Sequence, residues 1–97
     1  MARLAEQEIK QALTTLPGWE RQENAIARSI QFPAFTDAMA FVNRVALLAE
    51  QANHHPDITI NYNRVTLVLS SHDSGGITER DVKLAGRISD LRDRQAA

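Results

Sequence analysis

ITINYNRVTLVLSSH, residues 58–72, alternates apolar with polar side chains on both sides of Asn63-Arg64. A period of two carried by β-branched and aliphatic residues predicts an antiparallel hairpin. Asn63 tolerates positive φ and suits the tight turn, although Asn-Arg is a weaker turn signal than Asn-Gly. With the loop at Asn63-Arg64, Tyr62 faces Val65, Ile60 faces Leu67 and Ile58 faces Leu69 on one side of the pleat. Continued outward on the other side, the same register sets His55 opposite His72.

The hairpin follows the clearest helical pattern in the chain, residues 36–54. Thr36 can cap it, and Asp37 in the first turn suits the positive end of the dipole. Phe35, Met39, Val42, Ala46 and Ala49 make one stripe, widened by Phe41, Val45, Leu48 and Ala52. So broad an apolar face predicts either packing on two sides, sheet and neighbouring subunit, or one large internal core. Farther upstream, residues 3–16 have helical spacing that Pro17-Gly18 ends. Strands are expected at 19–22 and 25–32 around Glu23-Asn24, with Arg28 interrupting an Ile26, Ile30, Phe32 face. Downstream, Thr78 is the expected cap of a last helix, with Ile77 and Val82 in staple positions. The order α-β-β-α-β-β-α predicts an α+β fold: a four-stranded antiparallel sheet with three helices on one face, one domain over residues 1–97.

Composition narrows the classes of function. The chain has 97 residues, formal net charge −1 and interspersed charges, without the clustered Lys/Arg of a nucleic-acid surface. With 0 cysteines, disulfides, thiol nucleophiles and thiolate zinc sites drop out. No apolar run reaches the roughly 18–20 residues that span a bilayer. MARLAEQEIKQ, residues 1–11, is too charged for a secretory apolar region, so a soluble cytoplasmic domain is expected.

The residues that can carry chemistry gather around Asn53-His54-His55-Pro56. Proline disfavours the α conformation of the residue before it, so His55 is expected to be extended while His54 finishes the helix. The break lets two adjacent imidazoles converge on one region, and Glu50 lies one turn before His54, close enough to orient it. Taken singly, each has a plain structural alternative. A helix-end histidine caps a surface helix, a His55–His72 pair is an exposed cross-strand contact, and Asp81 three residues after Thr78 is a helix cap. The predicted co-location of all 3 histidines favours chemistry. His54, His55 and His72 with Glu50 or Asp81 could ligate zinc, but adjacent histidines are an uncommon ligand spacing. Ser71 and Ser74 lack a nucleophile-elbow sequence, and Ser-Gly-Gly is no phosphate loop. Imidazoles beside carboxylates suit metal-free general acid–base catalysis near neutral pH.

Glu50-x3-His54-His55-Pro56, then Tyr62, His72 and Asp81, resemble the signature of the pterin-4a-carbinolamine dehydratase family. FTDAMAFVNRVALLAE, YNRVTLVLSSH and GITERDVKLA are similar to the same family, so the likeness spans roughly residues 16–91. The resemblance implies dehydration of 4a-hydroxytetrahydropterin to quinonoid dihydropterin without metal or organic cofactor, recycling the pterin of aromatic amino-acid hydroxylases. It implies His54 and His72 as acid–base residues, with His55 binding and orienting the pterin. Glu50 and Asp81 would support them; Asn53, Pro56, Ser71 and Ser74 would line the substrate site. Ile58 and Asn53 stand where some members have tryptophan and aspartate. A homodimer or homotetramer is implied, with an aromatic amino-acid hydroxylase as a further partner and no direct nucleic acid or membrane. The rival readings are a protein-binding dimerisation cofactor module of transcriptional regulation and a zinc hydrolase.

Overall fold

The computed structural model describes residues 2–96. Two hairpins make the sheet: β1 (Glu20–Gln22) with β2 (Ala25–Gln31), and β3 (Asp57–Asn61) with β4 (Arg64–Leu69). Pairing of β2 with β4 joins them into one antiparallel sheet of order β1-β2-β4-β3. Helices α1 (Glu6–Leu13), α2 (Phe35–Ala52) and α3 (Glu79–Ala96) complete the order α-β-β-α-β-β-α. Alternation decides which face they cover. Ile26 and Ile30 of β2 and Val65, Leu67 and Leu69 of β4 are buried, in one cluster with Ile9, Phe41, Val45, Leu84 and Ile88 of the helices. The intervening Ser29 and Thr66 share a hydrogen bond of 2.9 Å outside this core.

Helix boundaries differ from expectation at both ends of α2. It starts at Phe35 from an N-cap at Ala34 that makes no side-chain capping bond, so Thr36 lies inside the first turn instead of capping it. It stops at Ala52, before Pro56 has any influence, because Asn53 adopts the left-handed conformation at φ 50°, ψ 43°. Asn53 N–H then bonds Glu50 O (3.2 Å) and His54 N–H bonds Ala49 O (3.1 Å), the paired closure of a left-handed cap. α1 is shorter than the predicted 3–16, because the Thr14 and Thr15 hydroxyls turn back onto the Gln11 and Ala12 carbonyls.

The second hairpin forms in a register two residues from the predicted one. Its loop is Tyr62-Asn63, so Ile60 faces Val65 and Ile58 faces Leu67. Tyr62, not Asn63, carries the positive φ, at 54°. Asn63 is committed elsewhere: its amide donates to Phe32 O at 2.7 Å and its carbonyl accepts Phe32 N–H at 2.8 Å. A shift of two keeps every side chain on its predicted face. It does undo the expected strand pairing of His55 with His72. β4 ends at Leu69, a Ser71–Gly76 backbone bridge closes a small loop, and His72 opens the 3-10 turn His72–Ser74 within it.

Candidate active site

The first turn of α3 organises the site. Thr78 precedes the helix, and its N–H donates to Asp81 Oδ2 at 2.9 Å, while Arg80 N–H reaches Thr78 Oγ1 at 3.3 Å. This is the reciprocal capping anticipated for Thr78 and Asp81. The carboxylate does more than cap. Ser71 O–H donates to the same Oδ2 at 2.9 Å, and Thr78 O–H can donate to Ser71 Oγ at 2.8 Å. Oδ1 takes the remaining partner, His54 Nε2, at 2.5 Å. Ser71, Thr78 and Asp81 are at most 1% exposed and His54 8%. A buried network in which each hydroxyl both gives and receives holds one geometry, because any rotation leaves a donor or acceptor unpaired.

With Nε2–H given to Asp81, neutral His54 carries its lone pair on Nδ1, and the carboxylate steadies the ring whether or not Nδ1 takes a proton. Tautomer selection through the partner of the opposite nitrogen is what general acid–base histidines require. His55 has separate surroundings. Its Nε2 meets Glu50 Oε2 at 2.5 Å in a pair whose side chains are 56% and 75% exposed. The left-handed residue at 53 turns the chain so that Glu50 serves His55, five residues on, and His54 goes inward to α3. The two rings therefore do not share the Glu50 carboxylate that the helical spacing assigned to His54.

The remaining candidates lie along two short segments. Asn53 and Pro56 bracket the histidine pair between α2 and β3. His72 and Ser74 occupy the 3-10 turn after β4, where His72 is exposed. Asp57 pairs with Val68, so the start of β3 and the end of β4 lie at the same end of the hairpin. Ser71 links the segments, since it precedes His72 and shares Asp81 with His54. Absent from the sequence reading was the ion pair of Arg80 NH2 with Asp73 Oδ1 at 2.7 Å, which ties this turn to α3. The Arg80 bond holds the Asp73 carboxyl below its ordinary range. Arginine in a first helical turn, where the dipole disfavours a cation, was the available signal. Among the described residues, no group of three or more His, Cys, Asp or Glu is arranged to hold a metal ion.

A family model for pterin 4 alpha carbinolamine dehydratase matches residues 2–91. The chain belongs to that family. A provisionally named pterin-4-alpha-carbinolamine dehydratase of Thermomicrobium roseum is 58% identical over 91 residues, 94% of this chain and 98% of that protein. Its counterpart in Koribacter versatilis is 53% identical over 88 residues, 91% and 94% of the two chains. Among solved structures, a transcriptional coactivator/pterin dehydratase of Brucella melitensis superposes with a TM-score of 0.88 at 40% identity, covering 92% of this chain and 97% of that one. A pterin dehydratase-like RuBisCO assembly factor of the alpha-carboxysome shares the fold, with a TM-score of 0.62 at 22% identity over 75% of this chain and 84% of that one. Membership thus rests on nearly the full dehydratase domain.

Proposed function

We propose that the protein dehydrates 4a-hydroxytetrahydropterin to quinonoid dihydropterin and water, in the cytoplasm, returning pterin to aromatic amino-acid hydroxylases. The C4a–O bond breaks as the adjacent ring nitrogen supplies an electron pair for a new C=N bond. The departing hydroxyl takes a proton and leaves as water, and the ring nitrogen gives one up. One acid and one base suffice. His54 and His72 fill these roles, while His55, held by Glu50, orients the pterin. Asn53, Pro56 and Ser74 line the ring, and Ser71 acts from behind through Asp81. The observation that carries this reading is the buried His54–Asp81 bond inside a network that leaves Nδ1 for proton transfer.

The test is loss of the 4a-hydroxyl from enzymatically generated substrate, without added metal. Decay no faster than in buffer overturns the reading. His54→Ala and His72→Ala should each lose at least about tenfold, and full activity in either removes that histidine from its role.

Self-association belongs to the same reading. β3 is an edge strand whose Ile58 and Ile60 are 36% and 37% exposed, continued by Tyr62 at 67%. Phe35 and Leu47 of α2 are 46% and 65% exposed. An edge without lysine or proline, flanked by uncovered aliphatic residues, favours pairing with a second copy. Light scattering at micromolar concentration should give a homodimer or homotetramer, and Ile60→Lys should shift it towards monomer. The same exposed residues support a second reading, a protein-binding module. Tight partner capture without pterin turnover would favour it.

A further inference from the structure

Arg80 stands where a cation is disfavoured. It is the second residue of α3, at the positive end of the helix dipole. Its Nε is buried and has no hydrogen-bond partner among the described residues, a second cost. The guanidinium nevertheless reaches Asp73 Oδ1 at 2.7 Å, in a pair 32% and 68% exposed. A pair so exposed contributes little to stability. Its effect is geometric. Asp73 is the middle residue of the His72–Ser74 turn, whose own backbone bonds (Ser74 N–H to Ser71 O, Gly75 N–H to His72 O) close only its base. The Arg80–Asp73 pair ties the tip of that turn to α3. The next residue of α3, Asp81, holds His54. Neighbouring residues of one rigid turn, about 3.8 Å apart at Cα, thus hold the segments that carry His54 and His72.

We propose that Arg80 is a positioning residue, which fixes His72 relative to His54 by clamping Asp73 to the first turn of α3. The proposal rests on the dehydratase reading. It concerns the spacing between acid and base, to which proton transfer is steeply sensitive.

Two measurements test it. Backbone 15N order parameters of residues 72–74 should match the helices, near about 0.85, in the wild type, and fall below about 0.6 in Arg80→Gln and Asp73→Asn. A Glu79→Gln control should leave them unchanged. In the dehydratase assay, Arg80→Gln and Asp73→Asn should each lower kcat by about tenfold with little change in KM, and Arg80→Lys should recover part of the loss. In a His72→Ala background, Arg80→Gln should change kcat by less than about twofold, because the group it positions is gone. Order parameters unchanged in Arg80→Gln overturn the clamp. An equal tenfold loss in the His72→Ala background overturns its action through His72. A wild type without turnover defeats the dehydratase reading instead, and the order parameters alone then decide whether the clamp exists.

Discussion

Asp81→Asn separates the two functions of one carboxylate. Oδ2 receives both Thr78 N–H and Ser71 O–H, whereas among the described residues Oδ1 meets His54 alone. The single amide oxygen of asparagine therefore belongs at the Oδ2 position, which turns its NH2 towards Nε2. His54 must then offer a lone pair at Nε2 and carry its proton on Nδ1. The bond survives with its polarity reversed, and the nitrogen left for catalysis changes from acceptor to donor. The two bonds kept at Oδ2 pass from charged to neutral, each losing roughly 1 kcal/mol, about 2 kcal/mol in all. For a domain of this size that lowers Tm by about 8–16 °C and leaves a folded protein at room temperature. Loss of properly directed acid–base help should lower kcat by at least about a hundredfold. Thermal melting gives the first quantity and the dehydration assay the second. The 15N shifts of the His54 ring report which nitrogen bears the proton. An inverted tautomer with kcat within about threefold of wild type would refute the role of Nδ1, and an unchanged Tm would refute the assigned network.

Asn53 is needed at φ 50°. Asn53→Gly should leave Tm nearly unchanged, whereas Asn53→Ala should cost about 1 kcal/mol, roughly 4–8 °C. A raised KM in the glycine variant at constant Tm would show that the Asn53 amide also touches pterin. Arg80 holds the Asp73 carboxyl below its ordinary value of 3.8. A carboxylate depressed on folding contributes stability above its unfolded pKa and loses it as pH falls through the folded one. The Asp73–Arg80 pair should therefore persist at pH 4 and release below it, and the carboxyl 13C titration midpoint should rise in Arg80→Gln. Glu50→Gln removes an exposed pair, so stability should change by less than about 1 kcal/mol while the assay reads out any loss in pterin orientation.

What was readable in the chain was local. The stripe of α2, the alternation of β4 and the Thr78–Asp81 spacing each depend on neighbours within a turn or a pleat, and each predicted element formed. Elsewhere distant groups decide the structure. Alternation alone predicts the hairpin loop at Asn63-Arg64, but Asn63 is held by Phe32, 31 residues away, and the register differs accordingly. A helix continuing through residue 54 pairs Glu50 with His54, but Asn53, three residues before the more conspicuous Pro56, ends it first. His54 meets Asp81 across 27 residues, through a sheet and a helix that must both be in place. Periodicity finds both residues and gives no reason to join them. The strand pairing of His55 with His72 that the alternation predicts does not form, and it is Asp81 of α3 that joins His54 to Ser71, the residue before His72.

Because Asp81 both starts α3 and holds His54, melting of a single helical turn is enough to release the imidazole. Helix ends open at lower free energy than whole domains. At this end, however, Thr78 and Asp81 are wholly buried, so the turn that holds His54 should open only together with the core, and on heating turnover and circular dichroism should be lost in one transition.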